Sequence, residues 1–281
     1  MTGAIFLTVL GAAALHAIWN ALVKGGGDKI LAMVAVVVGQ GLFGGLALLF
    51  VPLPNGDSLP YLALSVALHI GYQAFLLQSY RLGDLTQVYP IARGTAPLIV
   101  AAVSVGFLGV VLDRIELIGI VVIGAGIVSL SFVRQQDGMR NRKAAAFAFV
   151  TGCFIASYSL VDGLGARVSG SAVGFYGCVA VLNGLLYTPM MWIWKPRAVA
   201  GLARALPIIL VGGGASFAAY ALVVYAFTQA PIAMVTALRE TSIIFALLIG
   251  VFFLKERLDL AKVVSTMVTI CGAALLRLSK G

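Results

Sequence analysis

Arg93, Arg239 and Glu240 have the most to explain in this sequence, because each lies within an apolar stretch of about twenty residues. A charged group in such a setting is costly and marks a functional site when the stretch crosses a membrane. Arginine stays charged and presents a planar fork suited to carboxylate or phosphate. Two such groups against one acid point to an anionic or zwitterionic ligand. A plainer reading pairs each arginine with a resident acid, and Glu240 is the obvious candidate. Adjacent helical residues point about 100° apart, however, so Arg239 and Glu240 do not naturally face each other.

Polar residues at helical spacing extend this set. His16, Trp19, Asn20 and Lys24 recur at i, i+3, i+4 and i+8, which is one face of a helix. Such a face avoids lipid and turns into the bundle. Two readings stay open for Lys24, which either lines a cavity or reaches out to the headgroups. His16 likewise either lines the cavity or sits as a satisfied core histidine. His69, Tyr72, Gln73 and Tyr80 repeat the pattern, Tyr89 stands one turn before Arg93, and Tyr176, Asn183 and Tyr187 share a stripe. The predicted substrate-binding residues are therefore Arg93, Arg239, Glu240, Trp19, Asn20, Tyr72, Gln73, Tyr89, His16 and Lys24. Glu240, His16 and Asp162 are the titratable groups available to carry a coupling proton; exchange of one solute for another needs none of them. Pro90 and Pro97 bracket Arg93 and predict a kink there.

Other chemistries are poorly provided for. His16 and His69 have no Asp, Glu or Cys at metal-ligand spacing, so neither a metal nor another cofactor is expected. Gly25-Gly26-Gly27 lacks the Lys-Ser/Thr that a phosphate-binding loop requires, which excludes ATP-driven pumping by this chain. Cys153, Cys178 and Cys271 fall in separate apolar stretches and read as buried small hydrophobes. No catalytic constellation emerges. A membrane-embedded enzyme and a channel are the readings from other classes, and an exporter of organic cations is the alternative within the transporter class.

The elements that must position these residues follow from composition. The chain has 281 residues, of which 61% are hydrophobic and 10% charged, whereas soluble domains run near 45–50% and about 25%. That excludes a soluble enzyme, a disordered chain and a disulfide scaffold. A bilayer core of about 30 Å needs about 20 apolar residues as a helix. Ten stretches meet this: 3–23, 30–50, 60–80, 86–108, 115–133, 144–162, 171–194, 206–227, 231–254 and 260–277. The N-terminal segment, with His16, Trp19 and Asn20 inside it, reads as a first span and not a cleaved signal peptide. Gly41 and Gly45 form a small-residue packing face; Gly212 to Gly214 read as packing residues or as a hinge.

The chain also matches itself. At an offset of 146, Arg93 falls on Arg239, Thr95 on Thr241, Phe107 on Phe253 and Leu112-Asp113 on Leu258-Asp259. Near the start of each half the offset is 138, with Ala21 to Lys24 over Ser159 to Asp162. The fold class expected is all-α: ten transmembrane helices as two inverted five-helix repeats, residues 3–133 and 144–277. Five spans per repeat is an odd number, so the second repeat enters the membrane in the opposite direction, an architecture common in secondary transporters. The two arginines should then lie on opposite sides of the midplane.

Three segments carry a family resemblance: His16-Ala17-Ile18-Trp19-Asn20 with Lys24, Tyr89-Pro90-Ile91-Ala92-Arg93-Gly94, and Ala237-Leu238-Arg239-Glu240-Thr241-Ser242. With Leu254-Lys255-Glu256-Arg257-Leu258, they make the chain resemble the EamA-type ten-helix branch of the drug/metabolite transporter superfamily, including its subgroup associated with phosphonate utilisation. The resemblance spans essentially the whole chain. It implies a solute carrier in the cytoplasmic (inner) membrane and leaves the solute unnamed. One departure is that Gly109-Val110-Val111 stands where the second repeat has Lys255-Glu256-Arg257. The partners admitted are a small-molecule solute, the lipid bilayer and, as a homodimer, a second copy; nucleic acid is not among them. Thirteen of the 19 basic residues follow odd-numbered spans, from Lys24 to Lys262, and four follow even-numbered ones: Arg114, Arg167, Arg277 and Lys280. The positive-inside rule then places both termini outside, whereas the resemblance implies cytoplasmic termini.

Overall fold

A computed structural model describes residues 1–25, 28–82, 85–129, 142–252 and 260–278, and all regular structure among them is helical. The helices are α1 (Gly3–Gly25), α2 (Lys29–Ala47), α3 (Leu59–Leu82), α4 (Leu85–Gly106), α5 (Arg114–Ser129), α6 (Arg142–Val168), α7 (Ala172–Trp194), the short α8 (Pro196–Ala200), α9 (Gly213–Gln229), α10 (Ile232–Arg239), α11 (Ser242–Phe252) and α12 (Leu260–Leu278). Each of the ten apolar stretches carries helix. Seven segments are long and apolar enough to cross a membrane: Gly3–Leu22, Lys29–Ala47, Gly56–Ser79, Arg142–Val168, Ala172–Trp194, Ile208–Gln229 and Ile232–Ile249.

The helices begin where side chains satisfy their first amides. The Asp28 carboxylate accepts from the Ile30 and Leu31 amides, and the Ser171 hydroxyl from that of Gly174. At α5, Glu116 reaches back to the Asp113 amide at 2.9 Å, a capping-box arrangement. Gly170, at φ +73°, ends the turn between α6 and α7 in a conformation only glycine adopts freely.

Surface and interior are reversed relative to a soluble protein. Leu7, Leu185, Ile193 and Met267 are exposed, while Arg93, Asp162, Arg239 and Glu240 are buried. Lipid rewards this distribution and water does not. Since lipid supplies no hydrophobic drive between helices, close backbone approach matters more. Gly39 of α2 and Gly213 of α9 meet so closely that a methyl group on either would collide with the other helix. Gly41 faces Gly184 of α7. Gly213 is therefore a packing residue, and it follows a π-helical turn, Ile208–Gly212, that leads into α9.

Packing pairs elements across the two halves: α3 and α4 lie against α6, α1 against α9 and α11, α2 against α7, and α5 against α12. Connections sort into two faces. On one, the Asn55 amide donates to Ser169 O at 2.8 Å, Arg167 donates to the carbonyls of Phe227 (2.9 Å) and Ala230 (3.0 Å), and Arg277 lies over Phe6. Both ends of the described chain are on this face. On the other, Asp28 and Ile30 share a depression with Trp194 to Ala198.

One expectation changes here. The stretch 231–254 does not form one continuous helix, because α10 ends at Arg239 and α11 begins at Ser242. Between them the amides of Glu240, Thr241 and Ile243 bond three residues back, to Ala237, Leu238 and Glu240, tightening the chain. Helix α4 extends through Pro90 and Pro97.

Candidate functional site

The break between α10 and α11 sets the geometry of the site. Glu240 leaves the regular helical path and reaches α4, where its Oε2 accepts a hydrogen bond from Arg93 Nε at 2.9 Å. Its Oε1 lies 3.8 Å from Arg239 Nε, within ion-pair range but too far for a hydrogen bond. The two arginines thus converge on one carboxylate. The sequence sets the two arginines apart, on opposite sides of the midplane; here their side chains meet at a common acid.

All three side chains are buried, at 5% exposure for Arg93 and 2% for Arg239 and Glu240. Two positive charges and one negative leave this triad one positive charge in excess. Burial of unequal charge is unfavourable by several kcal/mol in a low-dielectric interior. Arg239 shows this most clearly: its Nε and Nη2 are buried and have no hydrogen-bond acceptor, and Glu240 Oε1 has no donor. What Arg239 does have is an aromatic face, with its guanidinium carbon 5.8 Å from the centre of the Tyr220 ring.

On α1, the Trp19 indole N–H donates to His16 Nδ1 at 3.2 Å, and the rings meet edge to face at 5.1 Å. The Asn20 amide donates to His16 O at 2.7 Å. His16 lies within the field of both Arg93 and Arg239, which puts the polar face of α1 beside the cluster. From α3, Tyr72 stands edge-on to Tyr158 at 5.5 Å, and the buried Gln73 keeps its carbonyl oxygen without a donor. The side chains of Lys24 and Tyr89, both predicted here, lie outside the described residues, as does the Lys255-Glu256-Arg257 turn.

The structure adds residues absent from the predicted set. Tyr158 of α6 and Tyr220 of α9 form an aromatic wall with His69 and Tyr176; His69 stacks on Tyr158 at 4.3 Å, and Tyr176 meets Tyr220 at 4.8 Å. One signal in the sequence was a tyrosine near the middle of spans six and eight. A fuller signal was there to be read: Asp162 stands one turn after Tyr158, and Ser216 one turn before Tyr220.

An arginine with unsatisfied donors, an acid held by a second arginine, and an aromatic wall can hold an organic solute by its charge and by its carbon frame. Among the described residues no group of three His, Cys, Asp or Glu could hold a metal ion.

Comparison with known proteins bears on the fold. A solved structure identified only as "Crystal structure of protein" superposes with a TM-score of 0.69 at 18% identity, covering 100% of both chains, which shows a shared fold over the full length. No curated protein matches the chain. The model of the EamA-like transporter family matches residues 142–278. The protein is therefore a multi-pass membrane protein whose residues 142–278 are similar to the EamA-like transporter family.

Proposed function

We propose that this protein is a secondary transporter that moves a small organic anion or zwitterion across the cytoplasmic membrane by alternating access. The observation that carries the reading is Arg239: buried, charged, and with two nitrogens lacking an acceptor beside a carboxylate already engaged by Arg93. A solute carboxylate or phosphate-type group would supply the missing acceptors, and the Tyr158–Tyr220 wall would face its carbon frame. In this reading the ten helical stretches are ten crossings, and residues 3–133 repeat the family unit of 144–277 with inverted topology. The packing supports that arrangement, since exchanging the two halves maps the α1–α9 contact onto α6–α3 and the α4–α6 contact onto α11–α1. The clustering of alternate connections on two faces supports it as well.

A thermal-shift screen of the purified full chain tests the ligand class. The panel would hold carboxylates, phosphonates, amino acids and quaternary ammonium ions. Anionic or zwitterionic compounds should stabilise the protein, and Arg239→Ala should weaken their affinity roughly ten- to a hundredfold, the value of one or two charge-assisted hydrogen bonds at about 1.5–3 kcal/mol. Stabilisation by cations alone would refute the reading and make Glu240 the central residue.

A further inference from the structure

Tyr220 has two neighbours of opposite charge. Its ring lies 5.8 Å from the Arg239 guanidinium, and its hydroxyl donates to Asp162 Oδ2 at 2.7 Å. Asp162, on α6, is fully buried and its Oδ1 has no donor. The same Oδ2 lies 3.8 Å from His69 Nε2 of α3. His69 Nδ1 lies 3.0 Å from the Ser65 carbonyl oxygen, which can only accept, so Nδ1 carries the hydrogen of that bond. In neutral His69 the lone pair of Nε2 therefore faces the Asp162 carboxylate. A proton taken up by either group replaces that repulsion with an attraction at ion-pair range. His69 is 13% exposed at its side chain, and Asp162 is not exposed at all.

We propose that the Asp162–His69 pair is a proton-binding site, coupled through Tyr220 to the anion site at Arg239, which takes up one proton for each negative charge the solute brings. This rests on the anion reading given above. Charge balance supplies the argument. Among the described residues, the charged side chains of this core are Arg93 and Arg239 against Glu240 and Asp162, balanced while His69 is neutral; Glu116, the other buried acid among them, caps α5 at Asp113. A bound monoanion leaves the core one charge negative, and one proton on the pair restores balance. A low-dielectric interior penalises the unbalanced state, so anion and proton favour each other's binding, and the linkage is reciprocal. The groups facing Asp162 from the surrounding elements are His69 of α3, Tyr158 of α6 itself, Tyr176 of α7, Tyr220 of α9 and, further off, Arg239 of α10, with Arg93 of α4 and Glu240 beyond; Asp57, on the turn before α3, is exposed.

Infrared difference spectra of the full chain in lipid nanodiscs, titrated with pH and with no solute added, test the site directly. The wild type should show a carboxyl band that titrates over the pH range in which the protein stays folded, and Asp162→Asn should lack it. Arg239→Ala removes the same unit of charge that a bound anion cancels, so it should move the midpoint up by about one pH unit. Tyr220→Phe keeps the ring but removes the hydrogen bond to the carboxylate, and should move it in the same direction by a similar amount. The amide band of each spectrum reports folding, and if Asp162→Asn fails to fold, the Arg239→Ala and Tyr220→Phe shifts still decide. A titrating band absent from the wild type, retained in folded Asp162→Asn, or unmoved by Arg239→Ala overturns the proposal. Because no anion is present, that failure is distinct from failure of the anion reading, which the thermal-shift panel decides on its own.

Discussion

At the scale of the residue, the controlling fact is that one carboxylate serves two arginines. Glu240 is hydrogen-bonded to Arg93 and lies in ion-pair range of Arg239, with all three buried. Glu240→Gln keeps the shape and removes the charge, leaving two guanidiniums together with no acid. Breaking a buried ion pair in this way costs about 3–5 kcal/mol. The variant should melt at a lower temperature than the wild type. Anionic solutes should restore more of its stability than of the wild type's, because they now replace the missing charge. Equal stabilisation of both proteins by anions would show that the bound group does not meet this cluster. His16 and Trp19 hydrogen-bond to each other on the α1 face beside the cluster.

At the scale of the element, glycines decide how closely helices cross. Gly39 and Gly213 bring α2 and α9 together so tightly that an added methyl group meets backbone on the partner helix. Backbone cannot move aside as a side chain does, so Gly213→Val should destabilise by at least the 1–3 kcal/mol typical of overpacking. Gly45→Ala is the matched control, since its new methyl would lie 3.8 Å from Val181 Cγ2, an ordinary contact. Thermal melting of the two variants should separate them clearly. The break at Glu240–Thr241 is the other decision made by an element. Hydropathy reads straight through it, because Ile232–Ile249 is uniformly apolar apart from Arg239 and Glu240 and qualifies as a span by length and composition. At the break Glu240 is hydrogen-bonded to Arg93, 147 residues away in sequence, a contact that nothing local announces.

At the scale of the whole molecule, Arg277 of α12 lies over Phe6 of α1, so both ends of the described chain emerge on one face. In the sequence, thirteen basic residues, including Lys195, Arg197 and Arg204, follow odd-numbered apolar stretches, against four that follow even-numbered ones. The positive-inside rule then predicts external termini, so a C-terminal reporter that works only in the cytoplasm should stay inactive. Activity of that reporter would overturn the charge-based orientation in favour of the one the family resemblance implies.

What the sequence alone determined is the solvent and the element type. Apolar stretches of about twenty residues have only one way to satisfy their backbone in lipid, so helices in a membrane followed from composition and length. Arg93, Arg239 and Glu240 stood out for the same reason, since a charge among apolar neighbours is visible without coordinates. The polar face of α1 was legible because helical periodicity is local. Tertiary structure alone decided who pairs with whom. That Arg93 takes Glu240, that Arg239 is left with unsatisfied nitrogens, and that Tyr220 links it to Asp162 and His69 all depend on contacts among α3, α4, α6, α9 and the α10–α11 break. Periodicity says which face of a helix is polar, but only packing brings two such faces together.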